Sequence, residues 1–529
     1  MTLEAPKLPV RRTGTLKPLA LPNAVRNMGI HIVAGKGSGK SRLMGRMIAA
    51  HDFAASVPLV IFDPHGTTID NFLDKLTYLT ADQQRRIAPR LVYLDMSGKS
   101  GFVPSLPLYY RLPGDSLADV AQRFLQITLK LDPSLTGASI LGWNALKRVG
   151  TNTGMVLAAL GLQITEAHRL LRQPEAWVTR LQQLASDDPE TKPAVDYFLN
   201  EYLALDVEQR KREAESFLSK VMDFTHDARM QAMFAAGSST VDWEAAIERR
   251  NVVLIDFRDE TDDLQIRFKM LWLLNGLLEY IKRRGPTRER PVSLIIDELA
   301  YLLALNSSGH DLLTADLDVL INKIARNNNV WLTLAHQEMY QLPESIQQTL
   351  MTMGTQIIGL TTDEETALAL ARRYFRFDPH EVKRYQRVYH QGVVIDHTPV
   401  ELTADEQARL NSELFTRMQP YQFWVAPCPQ EGGVSTTLIP TSTAAYDAGR
   451  FVNESLVSRA RQTLATRSTP KLETTLVQIQ ERQAQLDAQL TAAPAPGGPR
   501  QQAHPQAHQP AFVPPPRKGR RKGSDRNGG

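Results

Sequence analysis

The sequence predicts an α/β fold in which a parallel sheet carries its ligand at the strand tips and a long all-helical stretch interrupts the sheet-forming chain. Three observations predict it. Short apolar runs alternate with amphipathic helical runs, the pattern of a parallel sheet with helical crossovers. Several of those runs end in a polar residue, among them Asp63, Asp95, Asp297 and His336, as strands do when ligands bind beyond their carboxyl ends. From about Ser116 to about Ala236 the strand signals stop and long amphipathic runs replace them.

Residues 1–27, with Pro6, Pro9, Pro18 and Pro22, read as an extended lead-in segment. The first strand then runs into His31–Ser41, HIVAGKGSGKS, a phosphate-binding loop. Gly35, Gly37 and Gly39 let backbone N–H groups curl around a polyphosphate. Lys40 reaches the outer phosphates and Ser41 offers a hydroxyl to magnesium. Leu43, Met44, Met47 and Ile48 recur at helical spacing, which puts the anion at a helix N-terminus, where unpaired N–H groups favour it. Ala34 stands where the first glycine of the pattern is usual, one small residue for another. The loop residues Ala34, Gly35, Lys36, Gly37, Ser38, Gly39, Lys40 and Ser41 are thus the predicted nucleotide-binding set. Such a loop does not name a reaction, because kinases, motors and switches share it.

Val57–Phe62 is a second buried strand, stopped by Pro64 in Asp63-Pro64-His65-Gly66, and Leu91–Leu94 is a third, ending at Asp95. Residues 28–115 and 237–430 form the expected sheet domain and 116–236 an inserted all-α subdomain. Its helices are read in Leu117–Leu131, Met155–Leu171, Ala176–Ser186 and Tyr197–Asp227, with a break at Asp187-Asp188-Pro189. The sheet resumes at Val252–Ile255, followed by an acid-rich loop and a helix over Leu264–Arg283. Further strands are read at Val292–Ile296, Val330–Ala335, Gln356–Leu360 and Gln422–Ala426.

Val292–Ile296 runs directly into Asp297-Glu298. Paired with the phosphate loop, these carboxylates form the second half of a nucleotide site. Asp297 suits the magnesium shell, and Glu298 suits orienting or deprotonating an attacking water. Gln337, at the tip of the strand after a helix over Leu312–Asn327, suits sensing a γ-phosphate; a solvated turn residue reads equally well there.

At 529 residues the chain exceeds the usual single-domain range. A single cysteine, Cys428, excludes an intrachain disulfide and a cysteine-based zinc cluster, which fits a reducing cytoplasm. The longest apolar-looking run, Met270–Ile281, contains Asn275 and Glu279 and falls short of the roughly 20 residues of a membrane span. The expectation is a cytoplasmic chain that meets a membrane only through partners. The formal charge of +4 is concentrated at the end, where Arg517, Lys518, Arg520, Arg521, Lys522 and Arg526 stand against Asp525. Residues 431–491 read as a peripheral helical segment without sheet pattern, and 492–529 as a disordered Pro- and Gln-rich tail. The tail's basic cluster suits DNA, RNA or an acidic partner, and equally a plain solubilising role. Prolines around His504 and His508 argue against a metal site there. No stripe of Lys/Arg interleaved with aromatics is read in the body of the chain.

The order AGKGSGKS, VIFDPHG, VVLIDFRDE, VSLIIDELA, ARNNNVWLTLAHQ resembles the HerA/FtsK superfamily of P-loop motors. Within it, the pattern is similar to the soluble ATPase part of conjugative DNA-transfer coupling proteins of type IV secretion, the TraG/TraD-like group, over about residues 25–430. The DPHG turn and the glutamine-tipped strand are its more specific features. The resemblance implies a RecA-like domain with a helical insertion, working as a homo-oligomeric ring, often a hexamer, that pulls DNA through its centre using ATP and Mg2+. It further implies that Lys40 and Ser41 bind phosphates and Mg2+, that Asp297 holds the metal, that Glu298 activates water and that Gln337 senses the γ-phosphate. Arg326 resembles an arginine that reaches a neighbouring subunit's nucleotide; as a cation ending a helix it has a second explanation in the helix dipole. Secretion or relaxase proteins are the implied partners, and a secretion ATPase that handles proteins rather than DNA is the alternative.

Overall fold

The computed structural model describes residues 22–112, 114–131, 140–287, 289–303, 310–390, 393–435, 437–443 and 451–492. Its strands are β1 (Ile30–Val33), β2 (Leu59–Asp63), β3 (Leu91–Asp95), β4 (Val252–Asp256), β5 (Val292–Ile296), β6 (Val330–His336) and β7 (Thr355–Ile358). To these are added β8 (Val382–His390), β9 (Val393–Glu401), β10 (Gln422–Ala426) and β11 (Ile439–Ser442). Nine of them form one sheet in the order β11-β10-β7-β1-β6-β5-β2-β4-β3, and β8 and β9 pair apart as a ribbon. The sheet is parallel from β7 to β3 and antiparallel where β10 and β11 close its edge. This is the RecA-like α/β sheet expected. β1 lies between β6 and β7, so the loop that leaves it opens at the crevice where the strand order reverses.

The strands are apolar on both faces because helices cover both. Leu59 and Ile61 of β2 face the helix α1, which starts at Lys40–Arg42 and continues through a π-helical stretch Leu43–Ala49 into Ala50–Ala54, and the helix α2 (Thr67–Thr77). Val60 and Phe62 face the other way, into one continuous core. That core includes α3 (Leu117–Leu131), α4 (Ile140–Ala159), the helix Val207–Val221 and α5 (Asp263–Arg284). Period-two alternation of one strand therefore assigns its residues to two cores. At the β7 edge, α6 (Glu364–Tyr374) and α7 (Ala404–Thr416) pack through Leu370, Tyr374 and Phe415.

Four local expectations are corrected. The helix read over Met155–Leu171 breaks after Ala159: Gly161 takes φ 66°, and helical structure resumes only at a 3-10 turn, Ile164–Glu166, that leads into Ala167–Arg172. The run Tyr197–Asp227 divides where Asp206 caps Val207–Val221 through a reciprocal bond with Gln209. Residues beyond Gly432 do not lose the sheet, because β11 pairs with β10. Nor is the long C-terminal run one peripheral helix. Pro470 divides it into α8 (Glu454–Ser468) and α9 (Leu472–Ala492). Val457 and Leu464 of α8 are buried against the sheet, and Ile479 and Leu486 of α9 against the helical layer. The tail from residue 493 lies outside the described residues. No helix among the described residues is long and apolar enough to cross a membrane.

Candidate nucleotide site

Four strands end in an aspartate at the same edge of the sheet: Asp63 on β2, Asp95 on β3, Asp256 on β4 and, just past β5, Asp297. Their partners differ. Asp95 accepts from the backbone of Ser97, Gly98 and Ser100. Asp256 accepts from Tyr93 Oη at 2.9 Å and from Arg258 Nε at 2.8 Å. Asp63 accepts from the backbone N–H groups of His65, Gly66 and Ile69 at 3.1, 2.8 and 2.9 Å, which is why the strand ends in a tight DPHG turn. Gly66 has φ 71°, and a Cβ there would lie 2.4 Å from the Arg258 guanidinium, so glycine is required twice over. Burial, together with the Asp297 and Asp256 carboxylates, pushes the Asp63 carboxyl well above the usual range.

Asp297 and Glu298 each keep one oxygen outside any hydrogen bond. Asp297 Oδ2 accepts from Thr68 Oγ1 at 2.8 Å, and Glu298 Oε2 from Lys40 Nζ at 3.1 Å and Gln337 Nε2 at 3.0 Å. Asp297 Oδ1, 3.2 Å from Lys40 Nζ but outside hydrogen-bond geometry, and Glu298 Oε1 are buried without a hydrogen-bond partner. Burial alone would lower the Lys40 ammonium; the two carboxylates outweigh it and hold it above its ordinary value. Glu298 sits at φ 58°, a conformation that costs about 1–3 kcal/mol for a residue with a side chain.

The phosphate loop meets this acid pair from β1. Gly37 and Gly39 adopt φ 80° and 95°, and Ser38 Oγ is buried without a partner. Lys36 and Gly37 face solvent, while Ala34 and Gly35 are buried under the loop. Gly35 N–H donates to Leu360 O at 2.6 Å, and Tyr421 N–H to Ser38 O at 2.8 Å, so the loop is pinned from β7 and from the start of β10. Ser41 Oγ receives a hydrogen bond from Thr67 Oγ1 at 3.0 Å, which joins the N-terminal ends of α1 and α2 at one point. The loop, the acid pair and Gln337 are thereby brought together. Arg326 is not: its Nη2 donates to Thr352 O at 3.2 Å, beside the start of β7 and at the opposite sheet edge from Lys40.

The pattern reading placed Asp63 only at a strand end and assigned no role to Thr67, Thr68 or Arg258. The signal for the first three is local, an Asp-Pro-His-Gly turn followed by two hydroxyl residues opening a helix. The residues present fit ATP with Mg2+: a loop of N–H groups, an ammonium, two adjacent hydroxyls and two carboxylates with unbonded oxygens are a donor set for a hard cation and a polyphosphate.

No family model matches the chain, and no curated protein matches it. Solved structures do. The bacterial conjugative coupling protein TrwBΔN70 is 15% identical with a TM-score of 0.46, over 82% of this chain and 88% of that one. The plasmid coupling protein TrwB in complex with ADP and Mg2+ is 13% identical with a TM-score of 0.44, over 79% of this chain and 87% of that one. VirB4 of Thermoanaerobacter pseudethanolicus is 14% identical with a TM-score of 0.44, over 78% of this chain and 88% of that one. In structure, this chain is similar to a conjugative coupling protein and to VirB4.

Proposed function

We propose that this chain is an ATP-driven DNA translocase that binds ATP and Mg2+ at the strand tips and hydrolyses the nucleotide at a subunit interface of a ring oligomer. One observation carries the hydrolytic half. Of four strand-tip aspartates, three spend oxygens on turns and on Arg258, whereas Asp297 and its neighbour Glu298 hold buried oxygens without hydrogen-bond partners beside Lys40. Buried polar atoms left unbonded are costly, and a pair of carboxylate oxygens in that state at the strand tips beside a glycine-rich loop and an ammonium suits a bound cation and polyphosphate. Asp297 and the Ser41 hydroxyl would hold Mg2+, which when bound neutralises phosphate charge. Lys40 and the loop N–H groups bind the outer phosphates. Glu298 orients the attacking water and takes its proton, and the Gln337 amide on Glu298 ties that carboxylate to the tip of β6.

The DNA half rests on the motif order. A role for Arg326 in hydrolysis requires a neighbouring copy, because its own Lys40 lies across the sheet. The test is ATP hydrolysis by the purified chain with and without single- and double-stranded DNA. Lys40→Ala and Glu298→Gln are expected to lower turnover about a hundredfold or more while the fold survives. Normal turnover in Glu298→Gln removes the assigned base. Hydrolysis indifferent to both DNAs at low salt replaces the translocase with a secretion ATPase that handles proteins.

A further inference from the structure

The β8–β9 ribbon is a long exposed element that the site above does not use. Its foot is fixed: Leu402 N–H donates to Glu381 O at 2.8 Å, and Arg373, at the end of α6, donates to Met351 O at 2.8 Å beside the start of β7. Above the foot, every residue from Val382 to Val388 is exposed, as are Asp396–Pro399 opposite them. A two-stranded ribbon with water on both faces gains little from burial.

Its register sorts the side chains. Tyr385 stands opposite Pro399 and Arg387 opposite His397, so one face carries an aromatic and a guanidinium and no carboxylate at these four positions. Arg384, Gln386 and Val388 alternate on the other face, with Asp396 across from Val388. Lys383 pairs with Glu406 of α7. Arg384 and Arg387 have no ion pair or hydrogen bond among the described residues, and Tyr385 is 64% exposed. This is a basic and aromatic stripe, Lys-Arg-Tyr-Gln-Arg, that the reading of the body of the chain did not register.

We infer that the ribbon is a nucleic-acid contact: Arg384 and Arg387 on phosphates and Tyr385 stacked on an unpaired base of single-stranded DNA. Charge complementarity selects the partner: the unpaired Arg387 guanidinium shares the face of the exposed Tyr385 ring, and the unpaired Arg384 guanidinium stands on the opposite face, so a strand that stacks on the ring meets a cation on each side of the ribbon. A free π-face beside cations fits single strands, whose bases are open to stacking. The contact lies at the sheet edge opposite the nucleotide site, so it is separable from the chemistry. It rests on the DNA half of the proposed function.

Fluorescence anisotropy of a labelled single-stranded oligonucleotide and of its duplex, titrated with the full chain at several salt concentrations, tests it. The variants are Arg384→Gln/Arg387→Gln, Tyr385→Ala and Tyr385→Phe, with circular dichroism and basal ATP hydrolysis as checks on folding. The double glutamine variant is expected to weaken binding and to reduce the salt slope by about 1.4, two phosphate contacts on a single strand. Tyr385→Ala is expected to weaken single-strand binding roughly tenfold, and Tyr385→Phe to retain it. Wild-type binding that none of the variants moves overturns the ribbon contact and leaves the translocase reading standing. A change in self-association with binding intact makes the ribbon an interface between copies and also overturns it. No binding by the wild type to either DNA removes the contact together with the DNA half of the proposed function.

Discussion

At the scale of residues, the described structure spends polar groups unevenly, and the unevenness is informative. Beneath the phosphate loop two imidazoles form a buried chain. The Gln356 amide donates to Leu350 O and Met353 O at 3.0 Å each, so its oxygen faces His31 Nδ1 at 2.6 Å and accepts that proton. His31 Nε2 meets His336 Nε2 at 2.7 Å, and His336 Nδ1 faces Glu338 O at 3.2 Å. Three contacts each need a proton, yet two neutral rings carry one each, so the longest contact goes unfilled unless one ring is charged. Burial opposes that charge and pushes His31 down to about 4 and His336 well below its ordinary value. With folded values below the unfolded one, the unfolded chain takes up protons first as pH falls. The pair's contribution is therefore complete above about pH 6.5 and lost progressively toward pH 4. For His31 alone this is on the order of 3 kcal/mol. His31→Gln should flatten the pH dependence of the urea midpoint across that window; an unchanged slope would assign the dependence to other groups.

At the scale of elements, the site is made by helix starts facing strand ends. The α2 helix enters through a turn that ties Asp63 to three backbone N–H groups, and its first two residues then deliver hydroxyls to Ser41 and Asp297. Thr68 is a positioning residue, since its hydroxyl orients the carboxylate expected to hold Mg2+. Losing such a support usually costs 10–100-fold in metal affinity. Thr68→Val should therefore raise the Mg2+ concentration needed for half-maximal hydrolysis about tenfold and leave turnover at saturating Mg2+ largely intact. A fall in turnover at every Mg2+ concentration, with the Mg2+ requirement unmoved, would place Thr68 in the chemistry itself. The ribbon, by contrast, was invisible as an element because its exposed strands lack the apolar alternation that marks a half-buried one.

At the scale of the whole molecule, α8 and α9 tie the sheet to the helical layer. Arg467 donates to the backbone of Ala88 and Leu91 beside β3. Leu472 N–H donates to Gly101 O at 2.9 Å. On α9, Arg482 pairs with the buried Glu166 at 3.1 Å and donates to Ala235 O at 2.8 Å, while Asp487 accepts from Arg169 Nε at 2.7 Å. Removing Arg482 leaves a buried carboxylate without its countercharge, which costs about 3 kcal/mol. Arg482→Met should lower the urea midpoint accordingly, and Glu166→Gln added to it should recover part of the loss. Equal midpoints for wild type and Arg482→Met would mean that the two layers hold together without this pair.

The sequence by itself determined the strands of the parallel sheet and which residues stand at their tips: the glycine-rich loop after β1, the acid pair after β5 and the glutamine after β6. Each is a local pattern: an apolar run buried on both faces, a glycine-rich turn, a carboxylate at a strand's end. Only the tertiary structure decided which strand-tip aspartate keeps an oxygen outside any hydrogen bond, because that depends on the turn after β2, on Arg258 two residues past β4 and on Tyr93 from β3. It also decided that Arg326 lies across the sheet from Lys40, and that the C-terminal helices each bury one face, α8 against the sheet and α9 against the helical layer. Those are matters of which surfaces meet, and contacts between residues hundreds of positions apart leave no periodicity in the chain.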